Sequence, residues 1–176
     1  VGIAGGATDG TVDLFTGQLM FSHVDFVLRG RCSIGVRRVY RSKFGLRGAF
    51  GYGMDLDINY RLVELSPFAV NLVDPEGRET RFALAGPDRY ENTNVPALEG
   101  AALLRGEDGL FRLQFREGTV YHFDDARLLI EIERRDGCRL GIDRDGSGRV
   151  VTLFDNTNPA TRAGRRIAFT YTSIAG

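Results

Sequence analysis

The sequence contains no tryptophan, only two cysteines and two histidines, and a single lysine, Lys43, among its 23 basic residues. Two cysteines are too few for a disulfide framework or for a cysteine-based zinc site. No apolar run approaches the roughly 20 residues of a membrane-spanning helix, so we expect no membrane span. Acidic residues also number 23. With a net charge of zero, no overall charge attracts nucleic acid, which we do not expect as a partner.

The two cysteines, Cys32 and Cys138, are far apart in the sequence. They can form a disulfide bond only if the fold brings their Cα atoms within about 7 Å. Nothing in the sequence places them together, and we expect two separate reduced thiols.

Alternation between polar and apolar residues is the main pattern along the chain. Phe111, Leu113 and Phe115 alternate with arginine and glutamine. The 23 glycines are abundant, and many follow an acidic residue or an arginine between two such segments. These pairs supply the positive φ that tight hairpin turns need, and a period of two is typical of strands. The pattern predicts an all-β fold, an antiparallel meander of about ten to twelve hairpin-connected strands forming a curved sheet or partial β-shell.

The longer predicted strands lie in the first part of the chain, at residues 18–26, 33–40 and 54–64. Residues 86–100 contain two prolines and two asparagines, and we interpret this stretch as a loop. Only residues 96–104 could support a short helix.

Turn glycines recur at a regular spacing in the second half. Gly109 and Gly118 are nine residues apart, and so are Gly137 and Gly146. Regular spacing of this kind is typical of stacked units that cannot bury their apolar faces alone. It indicates that the hairpins are copies of one unit.

Several motifs in the first third of the chain resemble a known family. Residues 12–19 read VDLFTGQL, residues 23–26 read HVDF, residues 36–42 read VRRVYRS and residues 50–54 read FGYGM. They resemble the domain that precedes the repeats of bacterial Rhs/YD-repeat proteins. There, D-x-x-T-G leads to a strand ending in T-D-F, then to one ending in R-x-Y-x-S and to F-G-x-G-W. Met54 stands where that family has tryptophan.

Two later segments resemble the YD-type repeats themselves. Residues 118–124 read GTVYHFD and residues 137–143 read GCRLGID, with the tyrosine of the repeat replaced by Phe123 and Ile142. Arg127-Leu128 is similar to the G-R-L that follows such a repeat. The resemblance covers about residues 9–172.

The resemblance implies a hollow shell wound from long β-ribbons. In bacterial toxin members the shell encloses a C-terminal toxic domain until delivery, and in animal teneurin-like members it presents adhesion surfaces. It implies that residues 1–100 are a β domain preceding the repeats and that residues 101–176 are degenerate hairpin repeats continuing the same sheet. The implied partners are the remainder of the shell and its cargo, in a secreted or cell-surface protein. A segment with an open sheet edge is also expected to self-associate.

Ser22, His23 and Asp25 supply the residue types of a hydrolase triad. On a strand, however, His23 and Asp25 share one face while Ser22 points to the other. We interpret the three residues as polar positions on a strand.

Two other groups carry metal-binding residue types. His122 with Asp124 and Asp125 could bind a metal or act in acid–base chemistry, and we interpret it as a strand histidine beside a hairpin turn. Residues 143–148 (DRDGSG) match the first half of a calcium loop, but Phe154 stands where the bidentate glutamate is required. We interpret this segment as a long hairpin turn.

Basic residues are concentrated between Arg29 and Arg47, where acidic residues are few. Such a segment could hold an anionic glycan or another chain by charge and stacking. The candidate binding residues are Arg37, Arg38, Tyr40 and Arg41.

Alternation weakens a single binding surface, because it places Arg37 and Arg38 on opposite faces of their strand. The simpler interpretation pairs these arginines with Asp55, Asp57 and similar carboxylates on neighbouring strands.

The sequence favours a structural, non-enzymatic segment of an Rhs/YD-repeat shell that encapsulates or scaffolds a toxin or an adhesion partner. The alternative is a glycan- or protein-binding β module that uses the segment Arg29–Arg47. We expect no catalytic residue, no cofactor and no metal site.

Overall fold

The computed structural model describes residues 9–13, 17–42, 47–48, 50–157 and 165–172. Within these ranges the chain forms 17 β-strands, one 3₁₀ turn at Pro96–Leu98 and no α-helix. All paired strands run antiparallel. The predicted all-β antiparallel fold is confirmed, with more strands than the sequence predicted. The strands are β1 Asp9–Asp13, β2 Gln18–Leu28, β3 Ile34–Arg41, β4 Arg47–Gly48, β5 Gly51–Tyr52, β6 Met54–Leu56, β7 Arg61–Ser66, β8 Ala69–Val73, β9 Glu79–Gly86, β10 Arg89–Glu91, β11 Ala102–Arg105, β12 Phe111–Gln114, β13 Val120–Phe123, β14 Leu129–Glu133, β15 Arg139–Arg144, β16 Val150–Asp155 and β17 Arg166–Ala168.

Two sheets contain nearly all of these strands. The small sheet has four strands in the order β1-β2-β3-β6, and the large sheet has eleven strands that follow the chain from β7 to β17. β4 and β5 form a separate two-stranded ribbon. In the large sheet each inner strand pairs with the strands before and after it in the sequence, which is the pattern of an antiparallel meander. No helix in the described ranges is long and apolar enough to span a membrane.

The predicted strand at residues 54–64 is divided between the two sheets. β6 ends at Leu56 and β7 begins only at Arg61. Between them Asn59 donates its side-chain amide to Asp55 at 2.6 Å and its backbone N–H to the Leu56 carbonyl at 3.0 Å. The prediction of one strand is wrong because alternation continues through a turn that takes the chain out of the small sheet.

The large sheet is continuous through residue 100. The predicted loop at residues 86–100 contains β10, which pairs with β9 on one side and with β11 on the other. The chain passes from the small sheet to the large sheet at residues 57–60, and not near residue 100. The division of the chain into 1–100 and 101–176 stays a prediction.

The large sheet coils so that its first strand meets a later one. β7 forms an isolated antiparallel bridge from Arg61 to Leu128, immediately before β14. The Leu62 N–H donates to the Arg127 carbonyl at 2.8 Å. β7 and β17 remain the two ends of the sheet, so its described strands do not close into a barrel.

Six of the ten connections between the described strands of the large sheet share one backbone geometry. In six five-residue turns of the described chain, the first residue donates its N–H to the carbonyl of the fifth, and the fourth donates to the carbonyl of the first. The donor–acceptor distances are 2.8–3.1 Å. The fourth residue has a φ between 65° and 96°, the geometry of a type I turn closed by a bulge. These fourth residues are Gly77, Gly109, Gly118, Arg127, Gly137 and Gly148.

The repeated turn has a different register from the one that glycine spacing indicates. From Gly109 to Gly148 the positive-φ positions are nine to eleven residues apart. Gly148, not Gly146, is the fourth residue of its turn, and Arg127 fills the position between Gly118 and Gly137. The five-residue turn therefore also occurs at a place where its fourth residue is not glycine.

One hydrophobic core extends across both sheets. Ile34 and Leu56 of the small sheet belong to the same buried cluster as Phe82, Phe111 and Phe123 of the large sheet. Each of these five side chains is at most 1% exposed. Burying a large apolar side chain stabilises the fold by roughly 1.5–3 kcal/mol, so the shared core holds the sheets together.

The expectation of two reduced thiols is wrong, because Cys32 and Cys138 form a disulfide bond. Cys32 lies before β3 in the small sheet and Cys138 lies before β15 in the large sheet. The fold brings their Cα atoms to 5.5 Å although 106 positions separate them. The bond thus joins the two sheets covalently.

Replacing both cysteines, as Cys32→Ser with Cys138→Ser, is expected to lower the free energy of unfolding by about 2–5 kcal/mol, because the bond closes a long loop. Urea unfolding followed by circular dichroism measures the change. Reductant should bring the unaltered protein to the value of the double variant and leave the double variant unchanged. If reductant does not shift the urea midpoint of the unaltered protein, the expectation is contradicted.

Arg127 tests the turn geometry because it adopts a positive φ of 65° without being glycine. Arg127→Gly and Arg127→Ala both lose its 2.6 Å ion pair with Glu64 and its contact over the Phe111 ring. Only glycine relieves the backbone strain, so Arg127→Gly should be more stable than Arg127→Ala by about 1 kcal/mol. Gly137→Ala, where an added Cβ meets nothing within 4 Å, should show the strain alone. Equal unfolding free energies for the two Arg127 variants would contradict this account.

Candidate functional site

The four candidate binding residues lie on β3, but they do not share a surface. Arg37 faces the space between the two sheets, where it lines a cleft with Ser22 of β2. Arg38 points away from the cleft, toward Asp25. Lys43 and Phe44 of the same basic segment lie outside the described residues. The alternation of β3 places Arg37 and Arg38 on opposite faces, so the basic segment does not form a single surface.

Arg38 is engaged in a two-point ion pair. Its Nε donates to Asp25 Oδ2 and its Nη2 to Asp25 Oδ1, each at 2.6 Å. The hydrogen bonds to Asp25 raise the pKa of the Arg38 guanidinium above its ordinary value. β2 has an irregular register between Val24 and Phe26, which marks Asp25 as the bulged residue. The partner of Arg38 is thus Asp25, and not Asp55 or Asp57.

Tyr40 and Arg41 also contact other parts of the chain. The Tyr40 ring stacks on Phe21 of β2 with centroids 4.9 Å apart. Arg41 donates Nε to Gln18 at 2.7 Å and Nη1 to the Glu76 carbonyl at 3.2 Å. The second bond connects the small sheet to the β8–β9 turn. These contacts support the packing of the two sheets.

Arg37 is the exposed member of the four and lies in a cleft between the sheets. The cleft has a volume of about 930 Å³. Arg37 Nη2 donates to Ser22 Oγ at 2.6 Å. The large sheet contributes aromatic side chains to the opposite wall, where the Tyr121 ring lies 5.3 Å from Tyr60 and 4.9 Å from Phe115, both in edge-to-face contact. A ligand in this space would meet both charged groups and aromatic edges.

Asp57 is a carboxyl group of this cleft whose pKa lies well above its ordinary value. Burial raises its pKa to about 6, although the positive charge of Arg37 acts in the opposite direction. Burial also raises the pKa of the Tyr121 phenol, and the negative charge of Asp57 adds to that shift. Burial raises the pKa of Tyr60 as well. Sequence reasoning named Asp57 only as a partner for surface arginines, since burial cannot be read from the residues.

The three residues of the hydrolase-like group do not assemble into a triad. Ser22 Oγ accepts a hydrogen bond from Arg37 on the cleft side. His23 Nε2 lies 3.7 Å from Asp25 Oδ1 on the other face. The strand geometry thus separates the hydroxyl from the imidazole, as its alternation predicts.

The structure places the other candidates in hairpins. His122 lies beside Glu131 and Glu133, which sequence reasoning did not connect with it. The Asp124 carboxylate accepts the Leu128 N–H at 2.8 Å within its turn.

Residues 143–148 run from β15 into the β15–β16 turn. Asp145 Oδ1 accepts the N–H groups of Ser147 and Arg149 at 2.9 and 3.0 Å. These bonds stabilise the turn and use the carboxylate that a calcium loop would direct at the ion.

Asp57→Asn should increase the stability of the protein at neutral pH. The folded-state pKa of Asp57, about 6, lies above the unfolded value of 3.8. Asp57 therefore adds to the free energy of unfolding below pH 4, and this stabilisation is lost as pH rises through 6. Asparagine removes the buried charge, and the expected gain at pH 7.5 is up to about 2 kcal/mol. Urea unfolding at pH 4 and pH 7.5 measures it. The exposed turn residue Asp125 provides a control in Asp125→Asn, and the same gain at both pH values would contradict the assignment.

A comparison with protein families finds one match. Residues 9–82 are similar to a family described as a domain of unknown function, DUF6531. The match spans a little less than half of the chain, from β1 into β9. No curated protein matches the chain.

Proposed function

We propose that the chain is a structural, non-enzymatic segment of an Rhs/YD-repeat shell that encapsulates or scaffolds a toxin or an adhesion partner. The observation that carries the proposal is the succession of hairpins with one turn geometry in an eleven-stranded meander. Each further hairpin turn adds one strand without a crossover, so such a ribbon can be extended by any number of units. The motifs at residues 12–54 add support, and they lie within the part of the chain that is similar to DUF6531.

The coiling of the large sheet is consistent with a wall that curves around a space. β7 contacts the start of β14 through the bridge from Arg61 to Leu128, so the ribbon bends back toward its own beginning. Glu64 of β7 adds an ion pair with Arg127 at 2.6 Å. In a shell, each turn of ribbon would cover the strand edges of the turn before it.

The last described strand offers an edge on which the ribbon can continue. β17 pairs with β16 on one side and has no described strand on the other. The Asp155 N–H donates to the Arg165 carbonyl and the Phe169 N–H donates to the Val151 carbonyl. Because successive residues direct their backbone groups to opposite sides, the N–H of Ala168 faces the free edge. We propose that the next strand of the shell, or a second copy of the chain, pairs there.

The disulfide bond supports a secreted or cell-surface location. Disulfide bonds persist in oxidising compartments and are rare in the reducing cytosol. Cys32–Cys138 joins the small sheet to the large one, so it would hold the opening segment to the repeats after export.

A second candidate function is a glycan- or protein-binding β module. The observation that favours it is the cleft of about 930 Å³, with Arg37 on one wall and Tyr60 and Tyr121 on the other. An arginine next to aromatic side chains suits an anionic sugar or a peptide carboxylate, because the guanidinium can pair with the anionic group. The other three candidate residues, held by Asp25, Phe21 and Gln18, give it less support.

The shell is tested by changing Ala168 in the full-length polypeptide that carries this chain. Ala168→Pro removes an N–H from the free edge without breaking a bond to β16, and Ala168→Ser is the matched control. If the ribbon encloses a cargo, limited proteolysis should spare the segment that follows the repeats in the unaltered and serine proteins. The proline variant should lose that protection. Equal cleavage of that segment in all three proteins would contradict encapsulation.

A further inference from the structure

Two neighbouring strands bring a histidine and two glutamates together on one face of the large sheet. His122 of β13 lies directly opposite Glu131 of β14 in the strand register. Glu133 follows two positions later on β14, so it points to the same side. Arg139 of β15 lies opposite Glu133. We call His122, Glu131 and Glu133 the outer cluster.

The ligand atoms of the outer cluster are close enough to surround one ion. One nitrogen of His122 and one carboxylate oxygen of each glutamate all lie within 4.8 Å of one another. His122 Nε2 is 3.4 Å from Glu133 Oε2. Two ligand atoms of a tetrahedral zinc ion, each about 2.0–2.1 Å from the metal, are about 3.3–3.4 Å apart. The histidine and Glu133 therefore already have the separation of two zinc ligands.

Two buried polar atoms at the outer cluster have no hydrogen-bond partner among the described residues. One is His122 Nε2, whose contact with Glu133 does not have hydrogen-bond geometry, and the other is Asn156 Oδ1. Asn156 Nδ2 donates a short hydrogen bond to Glu131 Oε2, which places this amide beside the cluster. Leaving a buried polar atom unpaired destabilises the folded chain. A bound cation would satisfy such atoms.

Arg139 offsets part of the negative charge of the two glutamates in the structure. Its Nη2 donates to Glu133 Oε1 at 3.0 Å, and its Nη1 lies 3.6 Å from Glu131 Oε1. The Arg139 side chain is 38% exposed, so it can turn into solvent when another cation takes its place. Arg139 thus competes with an ion and does not ligate it.

We propose that the outer cluster binds a divalent first-row transition-metal ion of the zinc type, with His122, Glu131 and Glu133 as ligands. An imidazole with carboxylates suits such an ion, whereas calcium and magnesium prefer sites made of oxygen alone. The ion links β13 to β14 and leaves one position for water or for Asn156 Oδ1. Sequence reasoning missed the site because it paired His122 with its neighbours in the chain, Asp124 and Asp125.

Titration of the whole chain with ZnCl₂ in a calorimeter, and with CoCl₂ followed by visible absorption, tests the site. One saturable equivalent is expected. His122→Ala and Glu133→Gln should each weaken binding by at least about tenfold. Arg139→Gln should tighten binding because it removes the competing cation.

The chain offers a matched control in its other histidine. His23 lies beside Asp25 and Arg38 on β2, so His23→Ala should leave the affinity unchanged. Circular dichroism verifies that each variant is folded, and Glu133→Gln, which keeps the size of the side chain, decides the matter if His122→Ala does not fold. The proposal is overturned if neither ion binds saturably, or if Glu133→Gln binds as tightly as the unaltered chain. Metal binding by the outer cluster does not depend on whether the chain is part of a shell.

Discussion

Six of the ten connections between the described strands of the large sheet depend on a positive φ at the fourth residue of a five-residue turn. A buried strand must pair its N–H and C=O groups, and in a meander the only partners are the strands immediately before and after it. The five-residue turn reverses the chain within that constraint, because its fourth residue is left-handed. Glycine adopts this conformation without strain, and it occupies the position in five of the six turns. Where Arg127 stands instead, its contacts with Glu64 and the Phe111 ring offset the strain.

The arrangement of the two sheets depends on how the small sheet is attached to the large one. A shared core and the Cys32–Cys138 bond join them on one side. Residues of both sheets also line the cleft that contains Arg37 and Asp57. The partial burial of Asp57 in this cleft raises the pKa of its carboxyl group. The cleft and the structural joint are therefore two consequences of one arrangement.

Much of the fold can be read from the residues, and the failures have identifiable causes. Alternation and turn glycines identify the strands from β12 to β16 because each hairpin is local in sequence. β11 begins inside residues 96–104, where the sequence pattern indicates only a short helix. The same alternation conceals the break at residues 57–60, since a turn can preserve the period of two by chance. The repeat at Arg127 escapes notice because a glycine pattern cannot reveal a positive φ in another residue.

The candidate sites were harder to foresee than the strands. His122 meets Glu131 and Glu133 because a turn of fixed length sets the register between β13 and β14. Arg38 meets Asp25 because a bulge on β2 brings that carboxylate alongside. Both contacts join residues of neighbouring strands, and a shift of one position in register would abolish them.

The sequence by itself determined that the chain is an antiparallel ribbon of hairpins, because the period of two and the turn residues are local properties. Only the tertiary structure decided that Cys32 meets Cys138, that Asp57 is buried and that His122 lies among glutamates. These contacts depend on how two sheets pack and on which residues face each other across strands. Packing and register are set by the whole chain, whereas alternation needs only a few neighbouring residues.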